Sequence, residues 1–504
     1  MQEIDYQEIS IDFHTQYRIF KIKDMKKIVL FAVTFFLAVS SQAQWEPGVR
    51  LTNDPDSSLT SDLGSRCIAA IDNMVHVVWY DKRDGNWEIY YKRSTDEGKS
   101  WESDTRLTNN GSGSSHPKIA VSGSNIHVVW MDFRDGNNEI YYKNSTDDGI
   151  SWGTDTKLTD DVGESRKPSI SVSGSVVHVV WYDTRNGNYE IYYKRSTDGG
   201  STWGADTRLT YADVGSYGVS IAASGTNVHL VWIDWRDGNV EIYYNRSTDG
   251  GINWDGETRL TDADLTSTFP SIAISGTALH VVWCDWRDGY AAEIYYKRSL
   301  DGGVSWGEDI RLTFDYWGGD SWLPNLAVSG PVLHVVWQDN REGNNHIYYK
   351  HSEDGGENWG EDTLISGNGI MSSQQPSVAV SGSMVHLVWY DDRDGNFEIY
   401  YKRNPTGNII VGIENELPIN SSQVVSIYPN PASAILNISF SSPSGEDITL
   451  RFMDMSGKTL KVYNLTAAEG MNQYEINLDD FHNGLYFIGL TTSTKSYFRK
   501  VIIQ

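Results

Sequence analysis

The chain is poor in cysteine, in basic residues relative to acidic ones, and in long uncharged apolar runs. Its only cysteines, Cys67 and Cys284, lie in different copies of the repeat described below, so neither a disulfide between them nor a cysteine-based metal site is expected. Lys and Arg total 41 against 67 Asp and Glu, a formal net charge of −26. This balance argues against nucleic acid or an anionic membrane as a partner, because both attract cations.

The segment 25–43 has the features of a secretory signal. It has a basic start, a 12-residue apolar core and the small-x-small sequence Ser41-Gln42-Ala43. The core is shorter than the about 20 residues that a transmembrane helix needs. We therefore predict a biological start at Met25, a mature chain beginning near Gln44, and an upstream extension over residues 1–24. An N-terminal anchor is the alternative.

One stretch of sequence, HVVWYDKRDGNWEIYYKRSTDEGKSW at residues 76–101, organises most of the chain. Near-copies follow at spacings of 51, 51, 51, 51, 54 and 52 residues, so the stretch occurs seven times. Self-similarity at such a period indicates a solenoid, a propeller or an array. The leading histidines are His76, His127, His178, His229, His280, His334 and His386.

Each repeat contains four extended pieces and no helical period. In residues 168–210 they read PSISV, VHVVW, EIYYK and TRLT. The second and third pieces are separated by an Asp-x-Arg-Asp-Gly-Asn type sequence, which favours a β-hairpin. Four strands in about 50 residues are typical of one β-propeller blade.

The ends of the repeat region predict a closed ring. Residues 45–52, WEPGVRLT, match the fourth-strand segment at 101–108 but precede the first full repeat. The last repeat ends at Arg403 without a fourth strand. Joining the two ends gives an all-β, seven-bladed propeller over residues 44–403, closed by its N-terminal strand and leaving no exposed sheet edge. A linear array would instead require polar caps.

A Ser-x-Asp-x-Gly-x-x-Trp turn separates the third and fourth strands in six repeats. Its carboxylate can accept backbone N–H groups, its glycine permits positive φ, and its tryptophan can pack on the blade. The pattern resembles the Asp-box of sialidases, and the resemblance implies that these turns are structural and lie opposite the ligand face. The aspartates are Asp96, Asp147, Asp198, Asp249, Asp301 and Asp354.

After residue 403 the composition changes. A linker rich in Asn, Gly, Pro and Ser covers residues 404–423, and alternating strands with turn signals then predict a small β-sandwich over residues 424–504. Its YPNP opening, GLYF segment and KVII ending resemble the sorting domain of type IX secretion cargo. That resemblance implies recognition by the secretion machinery and export to the cell surface or medium of a Gram-negative cell. A generic accessory sandwich is the alternative.

Residues present in every repeat are poor candidates for catalysis. The seven histidines are too far apart around a ring to share a metal ion, so we predict buried hydrogen bonding for them. The repeated arginines, such as Arg83, are predicted to pair with Asp81-type or Asp84-type carboxylates. The hairpins faintly resemble calcium loops, but arginine occupies an expected ligand position. No metal or cofactor is expected, and the propeller is expected to be monomeric.

Function is therefore sought where the repeats differ. The hairpins between second and third strands should share one face with the connections between blades. Aromatic side chains there would stack on sugar rings beside polar groups that bind hydroxyls, so a glycan or an extracellular protein is the predicted ligand. Sealing of loop against loop is the alternative role for each ring. The predicted ligand-binding residues are Phe133, Trp235, Phe269, Trp286, Trp317 and Trp322.

The resemblance to sialidases leaves a second function open, an exo-α-sialidase-like glycoside hydrolase. It implies an arginine cluster for the substrate carboxylate, an acid/base and a tyrosine nucleophile assisted by a glutamate. The family's Arg-Ile-Pro segment is absent, only two arginines stand outside the repeat on the predicted face, and the connecting loops are short. In that hypothesis Arg66 and Arg166 bind the carboxylate, Glu164 or Asp320 is the acid, and Tyr217 or Tyr316 is the nucleophile.

Overall fold

The computed structural model describes the chain from residue 45 to residue 503, with gaps. No helix occurs in this described part, and thus none that could cross a membrane, so the all-β prediction is confirmed. The predicted extension, the signal segment and most of the linker lie outside the described residues. These residues are 45–61, 66–289, 291–314, 318–367, 371–407, 426–428, 432, 434–442, 445–453, 459–468, 470–478, 481, 484–491 and 496–503.

Seven antiparallel sheets occupy residues 45–407 of the described chain, one for each repeat. We number them blades 1 to 7 and give their strands from the innermost outward. Blade 1 contains Ser58–Leu59 and Ile68–Ile71 as an interrupted inner strand, then Met74–Asp81, Glu88–Ser94 and Thr105–Arg106; blade 2 contains Ser114–Ser122, Asn125–Asp132, Glu139–Ser145 and Thr156–Lys157; blade 3 contains Ser165–Ser173, Val176–Asp183, Glu190–Ser196 and Thr207–Arg208; blade 4 contains Ser216–Ser224, Asn227–Asp234, Glu241–Ser247 and Thr258–Arg259. Blade 5 contains Ser267–Ser275, Ala278–Asp285, Glu293–Ser299 and Ile310–Arg311; blade 6 contains Ser321–Ser329, Val332–Asp339, His346–Ser352 and Thr363–Leu364; blade 7 contains Ser373–Ser381, Met384–Asp391, Glu398–Asn404 and, from the start of the propeller, Val49–Arg50.

Blade 7 is completed by the N-terminal strand. Val49 lies opposite Tyr401 and Arg50 lies opposite Tyr400 in an antiparallel pair. The inner strands of blades 7 and 1 pack against each other, as those of every other neighbouring pair do. The predicted ring with N-terminal closure is therefore confirmed. The inner strands surround a channel with a volume of about 280 Å³, lined by residues from all seven blades.

A buried aspartate ends the second strand of each blade and fixes the following hairpin. In blade 3, Asp183 accepts hydrogen bonds from Trp181 Nε1 at 3.0 Å, Ser165 Oγ at 2.7 Å and Arg185 Nη2 at 2.7 Å. Burial opposes ionisation of Asp183, but the hydrogen bonds, first among them that of Arg185, outweigh it and lower its pKa. The predicted pairing of Asp81-type residues with the repeated arginines is confirmed. The other pairs are Asp81–Arg83, Asp132–Arg134, Asp234–Arg236, Asp285–Arg287, Asp339–Arg341 and Asp391–Arg393.

The Ser-x-Asp-x-Gly-x-x-Trp segments, here called the aspartate turns, join each of blades 1 to 6 to the preceding blade in the ring. Tyr91 of blade 1 packs edge-on against Trp152 in the turn of blade 2, with ring centroids 4.9 Å apart. Gly149 in that turn has φ of 82°, and a Cβ there would lie 2.1 Å from the Tyr91 hydroxyl oxygen. The same hydroxyl makes a 2.7 Å hydrogen bond with His76 Nδ1. The repeated histidines and turns thus have the predicted structural role.

A second buried carboxylate begins the third strand of six blades. In blade 7, Glu398 binds Arg50 Nη2 at 2.5 Å and Thr52 Oγ1 at 2.5 Å, both from the closing strand region. Blade 6 has no such carboxylate. His346 takes the glutamate position and Leu364 the arginine position, so the charge and its partner are absent together.

The C-terminal residues form a small β-sandwich. Its three-stranded sheet consists of Ser426–Tyr428, Ile435–Ser442 and Gly470–Asn477, and its four-stranded sheet consists of Thr459–Ala467, Glu446–Met453, Gly484–Thr491 and Ser496–Ile503. One apolar core joins the two sheets, with Leu436, Phe440, Leu450 and Ile488 among its buried residues. The predicted sandwich is therefore present.

Candidate ligand-binding face

One face of the propeller is formed by the hairpins between the second and third strands together with the connections that enter each inner strand. We call it the hairpin face. Backbone hydrogen bonds hold the two kinds of loop together within a blade, for example from Phe133 N to Gly113 O at 3.0 Å and from Trp235 N to Gly215 O at 3.3 Å. The aspartate turns lie at the other ends of the strands. The variable residues of both loops therefore share one surface.

The inner strands of blades 2 to 7 each have a β-bulge where they leave the hairpin face. In blade 3 the register with the second strand shifts between Arg166 and Ser169. The first bulged residue has a left-handed backbone in six blades, which is uncommon for residues other than glycine and is maintained by the surrounding sheet. The side chain at this position differs from blade to blade. The φ values are 56° at His116, 46° at Lys167, 64° at Gly218, 54° at Phe269, 52° at Leu323 and 50° at Gln375.

Four aromatic residues meet on the hairpin face between blades 3 and 4. We call Tyr182, Tyr189, Tyr217 and Trp235 the blade 3–4 cluster. The ring of Tyr217 lies 6.2 Å from that of Tyr182 and 6.4 Å from that of Tyr189, and its hydroxyl accepts a 3.0 Å hydrogen bond from Trp235 Nε1. Tyr189 is 38 % exposed and Trp235 is 46 % exposed, so two flat rings face solvent on a packed base.

Blades 1 and 7 have aromatic residues at the same two positions as Tyr182 and Tyr189. Tyr80 lies 5.0 Å from Trp87 and stacks on His116 at 5.5 Å between ring centroids. Tyr390 lies 5.0 Å from Phe397. The aromatic surface therefore recurs in three blades, and these positions were not among those predicted from the sequence. They would have been found by comparing each variable position across all seven repeats.

Polar groups occupy the face between the aromatic residues of blades 1 and 3. Asn138, at the position of Tyr189 in blade 2, donates a side-chain hydrogen bond to Glu164 Oε2. Arg166 Nε lies 3.4 Å from the same carboxylate. These side chains offer both donors and acceptors for the hydroxyl groups of a ligand.

The predicted ligand-binding residues differ in their surroundings. Trp235 belongs to the blade 3–4 cluster, and Phe133 is 46 % exposed on the hairpin of blade 2. Phe269 occupies the bulge of blade 5 and is half-buried, as is Trp286 on the hairpin of the same blade. Trp322 is half-buried beside the bulge of blade 6, and Trp317 lies outside the described residues. Among the described ligand-binding predictions, Trp235 contacts a further predicted site residue, Tyr217.

The residues of the sialidase hypothesis do not form one cluster within the described chain. Glu164 and Arg166 are neighbours, whereas Asp320 accepts a 2.8 Å hydrogen bond from Ala292 N in blade 5 and thereby fixes a loop. Tyr217 is engaged with aromatic rings. Arg66 extends into the central channel, and Tyr316 lies outside the described residues.

No group of three or more metal-ligating side chains occurs in the described part of the chain. The carboxylates of the aspartate turns accept hydrogen bonds from residues of the same turn. Asp147 accepts hydrogen bonds from Ser151 Oγ at 2.6 Å, Ser151 N at 2.9 Å and Ser145 Oγ at 2.7 Å, which lower its pKa to about 2.

The C-terminal sandwich matches a known protein family. Residues 426–504 match the family described as "Secretion system C-terminal sorting domain". The chain is a cargo of type IX secretion. This route exports proteins to the cell surface or the extracellular space, and the sorting domain implies contact with the secretion machinery. The match falls on the segment for which the sequence predicted such a domain.

Solved structures similar to this chain include several glycan-active proteins. Phage phi92 endosialidase is 11% identical with a TM-score of 0.46 over 76% of this chain and 72% of that chain. Polysaccharide lyase Uly1 is 11% identical with a TM-score of 0.46 over 72% of this chain and 100% of that chain. Trypanosoma rangeli sialidase with the inhibitor DANA is 9% identical with a TM-score of 0.44 over 90% and 88%. At these TM-scores the similarities assign no activity, and a comparison with curated proteins gave no match.

Proposed function

We propose that this exported propeller binds a glycan through its hairpin face, with the blade 3–4 cluster as the main contact. The observation that carries the proposal is the pair of exposed rings, Tyr189 and Trp235, supported from below by Tyr217 and Tyr182. A rigid aromatic surface loses little conformational entropy on binding and suits the apolar face of a sugar ring.

The polar neighbours of the cluster favour a sugar over a wholly apolar ligand. Asn138 of blade 2 contacts Glu164 at the entrance to blade 3, and Arg166 lies opposite Tyr182 within blade 3, so these groups can exchange hydrogen bonds with hydroxyl groups beside the cluster. An extracellular protein could use the same rings, but it would also need a larger continuous contact area. The glycan is therefore the ligand that we propose, and a protein ligand is an outcome that the test distinguishes.

The first prediction concerns Trp235. Screening the chain of residues 45–504 on a glycan array should identify a ligand, and Trp235→Ala should weaken its binding about tenfold or more in calorimetry, because the stacking area is lost. The matched control is Tyr211→Ala. Tyr211 is 71 % exposed in the connection between blades 3 and 4, where it stacks on Arg208 of the outermost strand and makes no ring contact with the described residues of the cluster.

Four results would count against the proposal. Equal losses for Trp235→Ala and Tyr211→Ala would show a nonspecific effect, and loss in Trp322→Ala alone would move the site to blade 6. Capture of an extracellular protein with no array signal would support the protein alternative. Release of fluorophore from a fluorogenic sialoside between about pH 4 and 8 would support the hydrolase hypothesis instead, and Glu164→Gln would then be expected to reduce turnover.

A further inference from the structure

Arg66 breaks the repeat at the entrance to the inner strand of blade 1. The equivalent residue is proline in five blades and Val219 in blade 4. A proline there has no side-chain donor, whereas the side chain of Arg66 enters the central channel and donates a 2.9 Å hydrogen bond from Nη2 to the carbonyl of Ile272 in blade 5. One side chain therefore spans the channel between blades that are not neighbours.

Arg66 is half-buried, and its guanidinium faces the channel without a counter-charge among the described residues. No described carboxylate lies within 4.0 Å of it, and the hydrogen bond to Ile272 uses only one of its five N–H donors. Burial lowers its pKa to about 10, so it remains protonated at neutral pH. Its remaining N–H donors face the channel and are open to a group that solvates the charge there.

The channel provides space for such a group. Its volume of about 280 Å³ exceeds that of a single water molecule several-fold, and Arg66 is the only charged residue in the described lining. Most of the other lining side chains are alanine or branched aliphatic, with Ser171 as a polar exception. The backbone of the inner strands adds polar groups, such as the Ile272 carbonyl that accepts the hydrogen bond from Arg66. One positive charge in these surroundings matches one negative charge.

We propose that the central channel binds a small monovalent anion, a halide or a short carboxylate, on the guanidinium of Arg66. The anion would complete the polar contacts of a residue that links blade 1 to blade 5 and would thereby stabilise the ring. A divalent oxyanion is disfavoured, because its second charge would have no partner in the described lining. This site is separate from the aromatic surface of the hairpin face and does not depend on glycan binding.

The test measures thermal unfolding of residues 45–504 at constant ionic strength while gluconate is replaced by chloride, bromide, formate, acetate or sulfate. A monovalent anion should raise the midpoint temperature saturably, by about 3 °C at a hundred times its dissociation constant. Arg66→Gln should abolish the rise. Arg166→Gln, which removes a half-exposed arginine from the hairpin face, should retain it.

Crystals of the unchanged protein grown in bromide give a readout that needs no variant. An anomalous peak at hydrogen-bond distance from the Arg66 guanidinium supports the site, and its absence together with absence of any anion-specific shift overturns it. A rise with formate or acetate but not with halides identifies a carboxylate as the ligand. A rise with sulfate alone contradicts the monovalent assignment. An equal rise in Arg66→Gln and the unchanged protein shows a general salt effect and also overturns the proposal.

Discussion

At the scale of single residues, the repeated histidines make the propeller sensitive to acid. Burial lowers the pKa of His127 from 6.5 to about 4. The pKa values of six of the seven leading histidines, His127 included, are lowered in this way. The unfolded chain binds these protons near pH 6.5 but the folded chain does not. Stability is therefore complete above pH 6.5 and falls as the pH decreases towards 4. Asp54, whose pKa burial raises to about 6, and Glu139, whose pKa burial also raises, act in the opposite direction but are two groups against six.

The second prediction tests this with His127→Gln. Glutamine can still bond to the Tyr142 hydroxyl, which lies 2.7 Å from His127 Nδ1, but it does not titrate. In this range each buried neutral histidine lowers the free energy of unfolding by about 1.4 kcal/mol for every unit by which the pH falls. Urea unfolding at pH 7, 6 and 5 should show a slope shallower by about that amount in the variant. Tyr142→Phe is the control, because it removes the same hydrogen bond and should leave the slope unchanged. Equal slopes in His127→Gln and the unchanged protein would mean that His127 is not held neutral.

Single residues also show where sequence reasoning succeeded and where it stopped. The pairing of Arg83 with Asp81 was predictable, because a residue repeated seven times beside a carboxylate must serve the blade. Trp235 was found because it varies within a repeated hairpin. The position of Arg66 in the channel was not predictable, because it depends on how the interrupted inner strand of blade 1 enters the ring, which leaves no marker in the local composition.

At the scale of the blade, blade 6 lacks the buried ion pair that the other six blades contain. Six blades bury a glutamate at the start of the third strand and neutralise it with a cation from the fourth. Blade 6 has His346 and Leu364 instead, while Ser366 Oγ still accepts the 3.0 Å hydrogen bond from Ile347 N that Thr52 Oγ1 accepts from Ile399 N in blade 7. Replacing both members of a buried ion pair is often tolerated, whereas removing one leaves an uncompensated charge.

The third prediction transfers the blade 6 solution to blade 7. Arg50→Leu alone leaves the buried Glu398 carboxylate without the cation that contacts it at 2.5 Å and should cost about 2–4 kcal/mol. Adding Glu398→His should recover at least about 1 kcal/mol in a double-mutant cycle measured by urea unfolding at pH 7. The same cycle on Arg208 and Glu190 of blade 3 serves as a replicate within one sheet. If the free-energy costs of the two substitutions are strictly additive in both blades, the two residues are not coupled and the prediction is wrong.

At the scale of the whole molecule, the repeat period was enough to predict the ring, because four strands per repeat can bury their apolar faces only by stacking on neighbouring sheets. The matching segment at 45–52 was enough to predict closure. The shared surface of Tyr182, Tyr189 and Tyr217 was not predicted, because it is formed between blades by residues 35 positions apart in sequence. A periodic sequence thus specifies which faces pack, while the contacts between variable positions depend on the geometry of the assembled ring.

The fourth prediction follows from that closure and concerns residues 45–52. Without them the strand Glu398–Asn404 keeps only one neighbour, Arg403 loses its ion pair with Glu46 at 2.7 Å, and Glu398 loses Arg50. An unpaired strand edge is a template for pairing with another chain. A chain of residues 53–504 should therefore form oligomers in size-exclusion chromatography with light scattering, whereas the chain of residues 45–504 should be monomeric. A synthetic peptide of residues 45–52 added during refolding should restore the monomer, and the same peptide with Arg50→Leu and Thr52→Ala should do so less well, because it cannot satisfy Glu398. If the shortened chain is monomeric with an unchanged unfolding midpoint, the N-terminal strand does not hold the ring closed.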